Sequence, residues 1–353
     1  MNADIDLLAA ERRGRALALL QNPSPGSVWR ITALDSPDGW AVLAGARWAA
    51  RLGAKVTAVL AAPESPSPVW RLLAESARRQ GFAVDGTARG TTLVTDNPNG
   101  GVCTVYPGQI PAENFAWRLT LGQSRQFVGP ATSYDKPMAT EQCRRVDRIA
   151  IDTFAVPGLC LMENACIGAC AVAMDMLHAQ PGKILILAGG GNNGGDGIAM
   201  ARGFWDLGLD CEVALSKPPA SLGGDAGANF RLLRETTGVP VHDASGRPET
   251  LRPLLENAAL VVDGLLGTGF KGSLSPDLAA AIGHVNDSGQ RVLALDIPSG
   301  LDGDTGEASG VAIVPERTVT FAAVKQGFAA HPERVGELYL ADIGAPSACY
   351  DPA

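Results

Sequence analysis

Cysteine and histidine are scarce: seven and four among 353 residues, with no CxxC pair. An odd, scattered set of thiols gives neither a disulfide framework nor a zinc-ribbon spacing. Cys160, Cys166 and Cys170 share one apolar helical stretch, LCLMENACIGACAVAM, where small thiols pack as apolar groups. His178, His242, His284 and His331 share no spacing and fall near expected element ends, which suits solvated or capping roles. Basic residues are outnumbered, 29 against 37 acidic ones, for a net charge of −8. That balance argues against nucleic acid or an anionic membrane as partner, so an anionic ligand needs backbone amides and local cations. Long hydrophobic runs are lacking too, each breaking short of the roughly 18 residues that span a bilayer. The opening MNADIDLLAAERRGRALALLQ carries Asp4, Asp6 and Glu11 and reads as neither signal nor transit peptide. The cytoplasm is the expected compartment.

What is present is ordinary globular material, 46% apolar and 19% charged. The length allows one large or two ordinary domains. From residue 139 helical periodicity alternates with β-branched runs. The pattern predicts helices over 139–155 and 159–178, strand 183–189, and a helix opening after Asp196. Strands 211–215, 239–242, 260–264, 291–296, 318–323 and 336–342 follow, with helices over 225–236, 248–257 and 276–286. Strands spaced by helices of this length imply a mostly parallel sheet.

The N-terminal region contains an echo of that pattern. VWRITALDSPDGWAVLAGARWAARLGAKVTAVL, from residue 28, aligns with GKILILAGGGNNGGDGIAMARGFWDLGLDCEVAL, from residue 182, and VWRLLAESARRQGFAV with NFRLLRETTGVPV. Asp-Gly pairs at 38–39 and 196–197 occupy similar places. Residues 1–132 are therefore read as a smaller α/β region, a degenerate duplicate of one Rossmann half, and residues 133–353 as the main domain. Pro37 stands where the second copy has a glycine, so the first turn should bind phosphate poorly.

The polar chemistry collects at strand ends. KILIL runs into a turn with Gly189, Gly191 and Gly194 in dinucleotide-fingerprint spacing, and Glu212 lies in the next strand. Asp263 interrupts the apolar run LVVDGLLGTGFKG, and Asp296 and Ser299 lie in VLALDIPSGLDGDTG. A lone aspartate there could cap the next helix. Two, with Ser299 and two asparagines on adjacent strand ends, point to a joint site, because buried carboxylates need partners. Oxygen donors of this kind suit an alkali or alkaline-earth cation rather than zinc.

NNGGDG, VVDGLLGTG and ALDIPSGLDGDTG, in this order, resemble the YjeF N-terminal domain family of NAD(P)H-hydrate epimerases. DRIAIDTFAVPGLCLMENA is similar to that family's leading helices, with Cys166 where a glycine is usual. The resemblance covers about residues 135–345. It implies a Rossmann-like three-layer sandwich with a mostly parallel central sheet, preceded here by the smaller N-terminal region. It places Asn192, Asn193, Gly194, Gly195 and Asp196 in the substrate pocket, with the turn Gly267, Thr268, Gly269, Phe270, Lys271, Gly272 cradling phosphate. It assigns one potassium ion per subunit to Asn193, Asp263 and Ser299, and sets Asp296 against the damaged nicotinamide ring.

The activity so implied is interconversion of the R and S forms of hydrated NADH or NADPH at C6 of the reduced ring, with Asp296 as general acid/base. Expulsion and return of the hydroxyl, or ring opening and reclosure, give the same product. A separate dehydratase and a homodimer are the implied partners; nothing after DIG resembles the dehydratase often fused behind this domain. The alternatives are a non-catalytic scaffold of the same fold, disfavoured by the retained polar set, and an ordinary Rossmann dehydrogenase, which would need a hydride-site His or Lys.

Overall fold

The computed structural model describes residues 3–21, 27–51, 54–81, 83–85, 91–97, 101–105, 128–130, 137–179 and 182–350. The chain divides into two units, one of residues 1–123, 145–161 and 344–353, the other of 124–144 and 162–343. The division is thus not a single cut near residue 132.

In the first unit, α1 (Ala3–Gln21), β1 (Val28–Ala33), α2 (Pro37–Arg51), β2 (Lys55–Leu60), α3 (Pro68–Arg79) and β3 (Ala83–Asp85) alternate. β4 (Thr92–Asn97) and β5 (Gly101–Val105) follow. The sheet order is β3-β2-β1-β4-β5, parallel among the first three strands and antiparallel beyond. Trp29, Trp40, Trp48 and Trp70 are all buried. α1 crosses α2 at small residues: a Cβ on Gly14 would lie 2.5 Å from the Ala44 Cβ.

The second sheet opens with β6 (Val128–Pro130), ahead of the expected boundary. α4 (Thr140–Arg148) runs into a π turn over Ile149–Thr153, and α5 (Gly158–Ala179) precedes β7 (Lys183–Ala188). Then come α6 (Asn192–Asp206), β8 (Cys211–Leu215), α7 (Gly224–Thr236), β9 (Val241–Asp243), α8 (Arg252–Glu256) and β10 (Ala258–Gly264). α9 (Pro276–Asp287), β11 (Arg291–Leu295), β12 (Arg317–Phe321), α10 (Gln326–Ala330) and β13 (Glu337–Ala341) complete it. The order is β6-β13-β12-β11-β10-β7-β8-β9, with only the edge strand β6 antiparallel. From the β9 edge this is the doubly wound 3-2-1-4-5-6 order, whose direction reverses between β7 and β10. That reversal is where such sheets take ligands.

Three expectations change. The helix over 248–257 is a 3₁₀ turn, Pro248–Leu251, leading into the short α8. α5 is long and apolar enough by composition to cross a membrane, contrary to the reading of short apolar runs, though 83% of that stretch is buried. Arg202 pairs with the buried Glu163 on it at 2.6 Å. Finally, α6 starts at Asn192, not after Asp196. NNGGDG reads as loop because glycine is a poor helix former, yet close packing requires it. A Cβ on Gly194 would lie 2.0 Å from the Gly189 carbonyl oxygen, and one on Gly195 would meet Met162 and Ala226 at 2.8–3.0 Å.

The two βαβ segments have matching strand register. Trp29 pairs Val56 as Ile184 pairs Cys211, both strands displaced by the same 155 positions. Ala58 pairs Ala83 as Val213 pairs Val241. A Cβ on Gly39 would lie 2.0 Å from the Leu34 carbonyl, as one on Gly194 does from Gly189. Asp38 therefore matches Asn193, the Asp-Gly pairs are not equivalent, and Pro37 matches Asn192 rather than a glycine.

Candidate active site

The three fingerprint glycines do three different jobs. Gly189 makes the tight turn: its N–H donates to the Gly264 carbonyl at 3.0 Å, and a Cβ there would lie 1.9 Å from the Leu265 carbonyl. Gly191 faces open space and caps α6 without a side-chain hydrogen bond, leaving first-turn amides open to an anion. Gly194 permits the strand–helix contact. Glu212, by contrast, lies near the start of β8 and pairs with His242 at 3.0 Å, at the wrong end of the strand for a ribose ligand.

Asp263 and Ser299 bond directly, and Leu266 links Asn193 to them, its carbonyl accepting from the Asn193 amide and its N–H donating to Ser299 Oγ. Asp263 is fully buried; its Oδ1 accepts from the Ser299 hydroxyl at 2.7 Å and its Oδ2 from the Ser299 N–H at 2.8 Å. Burial still pushes its carboxyl up to about 6, against the lowering effect of these bonds. The Asn193 amide donates to the carbonyls of Leu266 at 2.6 Å and Leu295 at 3.0 Å. Its Oδ1 is buried with no hydrogen-bond partner. An orphaned amide oxygen beside two carbonyls, a hydroxyl and one carboxylate is a set of oxygen donors of low charge. No group of three or more His, Cys, Asp or Glu side chains suited to a metal occurs among the described residues. The set therefore fits a monovalent cation.

Asp296 sits one strand over, past the end of β11. Its φ is 60°, and Ala322, past the end of β12, has φ 61°. Each is spanned by a γ-turn, Ile297 N–H to Leu295 carbonyl and Ala323 N–H to Phe321 carbonyl, both at 2.7 Å. Such strained turns cost on the order of 1–3 kcal/mol each and persist where surroundings impose them. These two bring the Asp296 carboxylate onto the ammonium of Lys325, which is 1% exposed. The ammonium also donates to Thr320 Oγ1 at 2.9 Å and to the carbonyls of Phe321 at 2.8 Å and Ala323 at 3.2 Å. Thr320 Oγ1 and the Phe321 N–H reach Asp296 Oδ1 at 3.4 and 3.3 Å. Every hydrogen bond Asp296 accepts from the described residues goes to Oδ1. Oδ2 is left to a ligand or solvent.

Residues 267–272 form an exposed to half-buried turn, and Gly267 closes on the asparagine: a Cβ there would lie 3.0 Å from Asn193 Cβ. The Arg144 guanidinium donates to the Thr268 carbonyl, so a cation braces the turn from α4. Thr140, on the same helix, donates from its N–H and hydroxyl to Asp304 at 2.6 and 2.9 Å. Asn192 is exposed, whereas Asp196 is buried inside the helix. Arg144, Thr320 and Lys325 were missed from sequence. Lys325 carried a signal, since TFAAVKQG places one charge in an apolar stretch behind a strand, as with Asp263 and Asp296.

Residues 158–327 match the family described as YjeF-related protein N-terminus. The NAD(P)H-hydrate epimerase of Rhodopirellula baltica is 37% identical over 212 residues, 60% of this chain and 85% of that protein. The Pirellula staleyi protein of the same name is 37% identical over 58% of this chain and 91% of its own length. The bifunctional NAD(P)H-hydrate repair enzyme of Moorella thermoacetica is 37% identical over 57% of this chain, but the chain spans only 39% of it. The crystal structure of a yeast protein, ynu0, shares the fold over 58% of this chain and 88% of its own, with 22% identity and a TM-score of 0.52. By these matches and by its strand-end site, the chain belongs to the NAD(P)H-hydrate epimerase family of YjeF-related proteins.

Proposed function

We propose that this protein interconverts the R and S forms of hydrated NADH and NADPH, and that Asp296 is its catalytic residue. The observation that carries this reading is the half-engaged carboxylate, Oδ1 held by Lys325, Thr320 and a backbone amide, Oδ2 presented at the strand ends. A carboxylate ion-paired in this way acts first as a base. Asp296 Oδ2 takes the proton of the C6 hydroxyl. The C6–N1 bond breaks as the C6 carbonyl forms, and its electron pair moves onto N1, where the conjugated carboxamide delocalises it. Rotation about C5–C6 presents the other carbonyl face. N1 adds back, and Asp296 returns the proton to the oxygen, so charge and atoms balance. Lys325 touches no substrate atom in this scheme; it fixes the carboxylate.

The cation that suits Asn193, Asp263 and Ser299 is potassium, by the orphaned Asn193 oxygen and the single carboxylate. When bound it supplies positive charge beside the phosphate-facing turns. Asn193, Asp263 and Ser299 would hold it, beside the Leu266 and Leu295 carbonyls that accept from the Asn193 amide. A separate dehydratase consuming one epimer, a homodimer and a cytoplasmic location complete the proposal. The test is to supply each purified epimer of hydrated NADPH and follow appearance of the other. An uncatalysed rate would sink the assignment.

A further inference from the structure

A cavity of about 340 Å³ opens at the carboxyl ends of β7, β8, β9 and β10, on the face covered by α9. None of the residues assigned above to substrate or cation lines it. Its floor is apolar, with Leu187 and Leu265, and its rim is polar, with Ser216, Lys217, Ser245 and Asp277. Apolar walls with a few convergent polar groups, in this size range, describe a small-molecule site. The rim is narrow: a Cβ on Gly246 would lie 4.0 Å from Asp277 Oδ2. Lys217 reaches back over the glycine turn, its Cγ 3.1 Å from the Cβ position of Gly190.

Topology says which part of a dinucleotide this cavity can take. In a 3-2-1-4-5-6 sheet the pyrophosphate crosses the turn after the first strand and the adenine ribose falls at the end of the second. Those places are the Gly189–Gly191 turn and the carboxyl end of β8. The reacting ring then falls on the opposite side, toward β11, where Asp296 stands. An acidic residue at the end of the second strand holds the ribose 2′-hydroxyl and repels a 2′-phosphate; a basic one accepts it. Here β8 ends in Leu215, followed by Ser216 and Lys217. Lys217 makes no ion pair or hydrogen bond with the described residues, nor does Asp277.

We propose that this cavity receives the adenosine end of the substrate, and that Lys217 makes the site favour a 2′-phosphate, hence hydrated NADPH over hydrated NADH. Asp277 is the acceptor for the adenine amino group or a ribose hydroxyl. This rests on the epimerase reading, but its test can fail alone. The full-length protein is titrated calorimetrically with adenosine 2′,5′-bisphosphate and with AMP. The bisphosphate should bind roughly two- to fivefold more tightly, the effect of one exposed charge pair. Lys217→Glu, an exposed change, should cancel or reverse that ratio, and Ser245→Trp should weaken both ligands by filling the rim. The ratio of kcat/KM for hydrated NADPH over hydrated NADH should fall in step in Lys217→Glu, through a higher KM for hydrated NADPH. No binding of either ligand, equal affinities in the wild type, or a ratio unmoved by Lys217→Glu would overturn the proposal. If turnover is normal while these fail, only the cavity assignment falls. If neither epimer is converted while the nucleotides bind as expected, the epimerase reading falls instead.

Discussion

The segments β1-α2-β2-α3-β3 and β7-α6-β8-α7-β9 share strand order and register, yet treat the turn after their first strand in opposite ways. In the second, Gly191 leaves the helix amides open. In the first, that turn is closed from within. Asp35 accepts from the Ser67 N–H at 2.7 Å, the Ser67 hydroxyl at 2.6 Å and Trp40 Nε1 at 2.8 Å. Ser36 Oγ accepts from the Gly39 N–H at 3.2 Å, and Pro37 removes a donor. The turn's carboxylate is engaged by Ser67 and Trp40, and a first-turn amide of α2 is capped by Ser36. One βαβ scaffold opens or closes its first turn according to whether its strand-end polar groups are left open or satisfied locally.

Four perturbations sharpen or break this contrast. The largest effect is expected in the open half's site. Asp296→Asn should lower the epimerisation rate by about 10²–10⁴-fold, as loss of a general base does, with the fold retained but the melting temperature lowered because the buried Lys325 ammonium loses its counter-charge. Lys325→Met should cost less, roughly 10–10²-fold, mostly in kcat rather than KM, because the carboxylate survives but loses its orientation. A Lys325→Met enzyme at wild-type rate would remove the positioning role.

Asp263 gives the next effect, on stability. Its carboxyl is pushed up to about 6 by burial, from 3.8, so the folded state holds the proton more tightly than the unfolded one. Without a bound cation, stability should therefore rise as pH falls from 7 toward 4 and drop as pH rises through 6, by about 3 kcal/mol at most. Potassium favours the ionised carboxylate and should flatten that dependence. Melting curves across this range in potassium and in tetramethylammonium buffers check the sign. The smallest effect belongs to the closed half: Asp35→Ala should lower stability by about 1–3 kcal/mol through unsatisfied donors. Epimerisation by the folded fraction should not change. If Asp35→Ala altered KM for the dinucleotide, the two turns would not have diverged as described.

Much of this was legible from residue type and spacing. Alternating strands and helices gave the parallel sheet, and an acid within an apolar strand, as at Asp263 and Asp296, flagged the site because burial demands a partner. What was not legible depends on contacts distant in sequence. The start of α6 was hidden because Gly194 and Gly195 look like loop until the packing of Gly189, Met162 and Ala226 on them is seen. Lys325 lies 29 residues from Asp296, and only the γ-turns at Asp296 and Ala322 bring the two together. The closure of the N-terminal turn by Asp35 and Ser67 spans 32 residues, so Pro37 showed that the turn was poor for phosphate but not what had replaced it.

The central claim is that Asp296 acts as a base that opens the ring, with the C6 oxygen staying on C6. Epimerisation of a single isomer of hydrated NADPH in ¹⁸O-labelled water tests it most directly, with mass spectrometry of the product at early turnover. The account predicts rapid inversion by the wild-type protein, little label at C6 beyond the uncatalysed background, and loss of inversion in Asp296→Asn. One labelled oxygen gained per inversion, or inversion at the wild-type rate in Asp296→Asn, would contradict it.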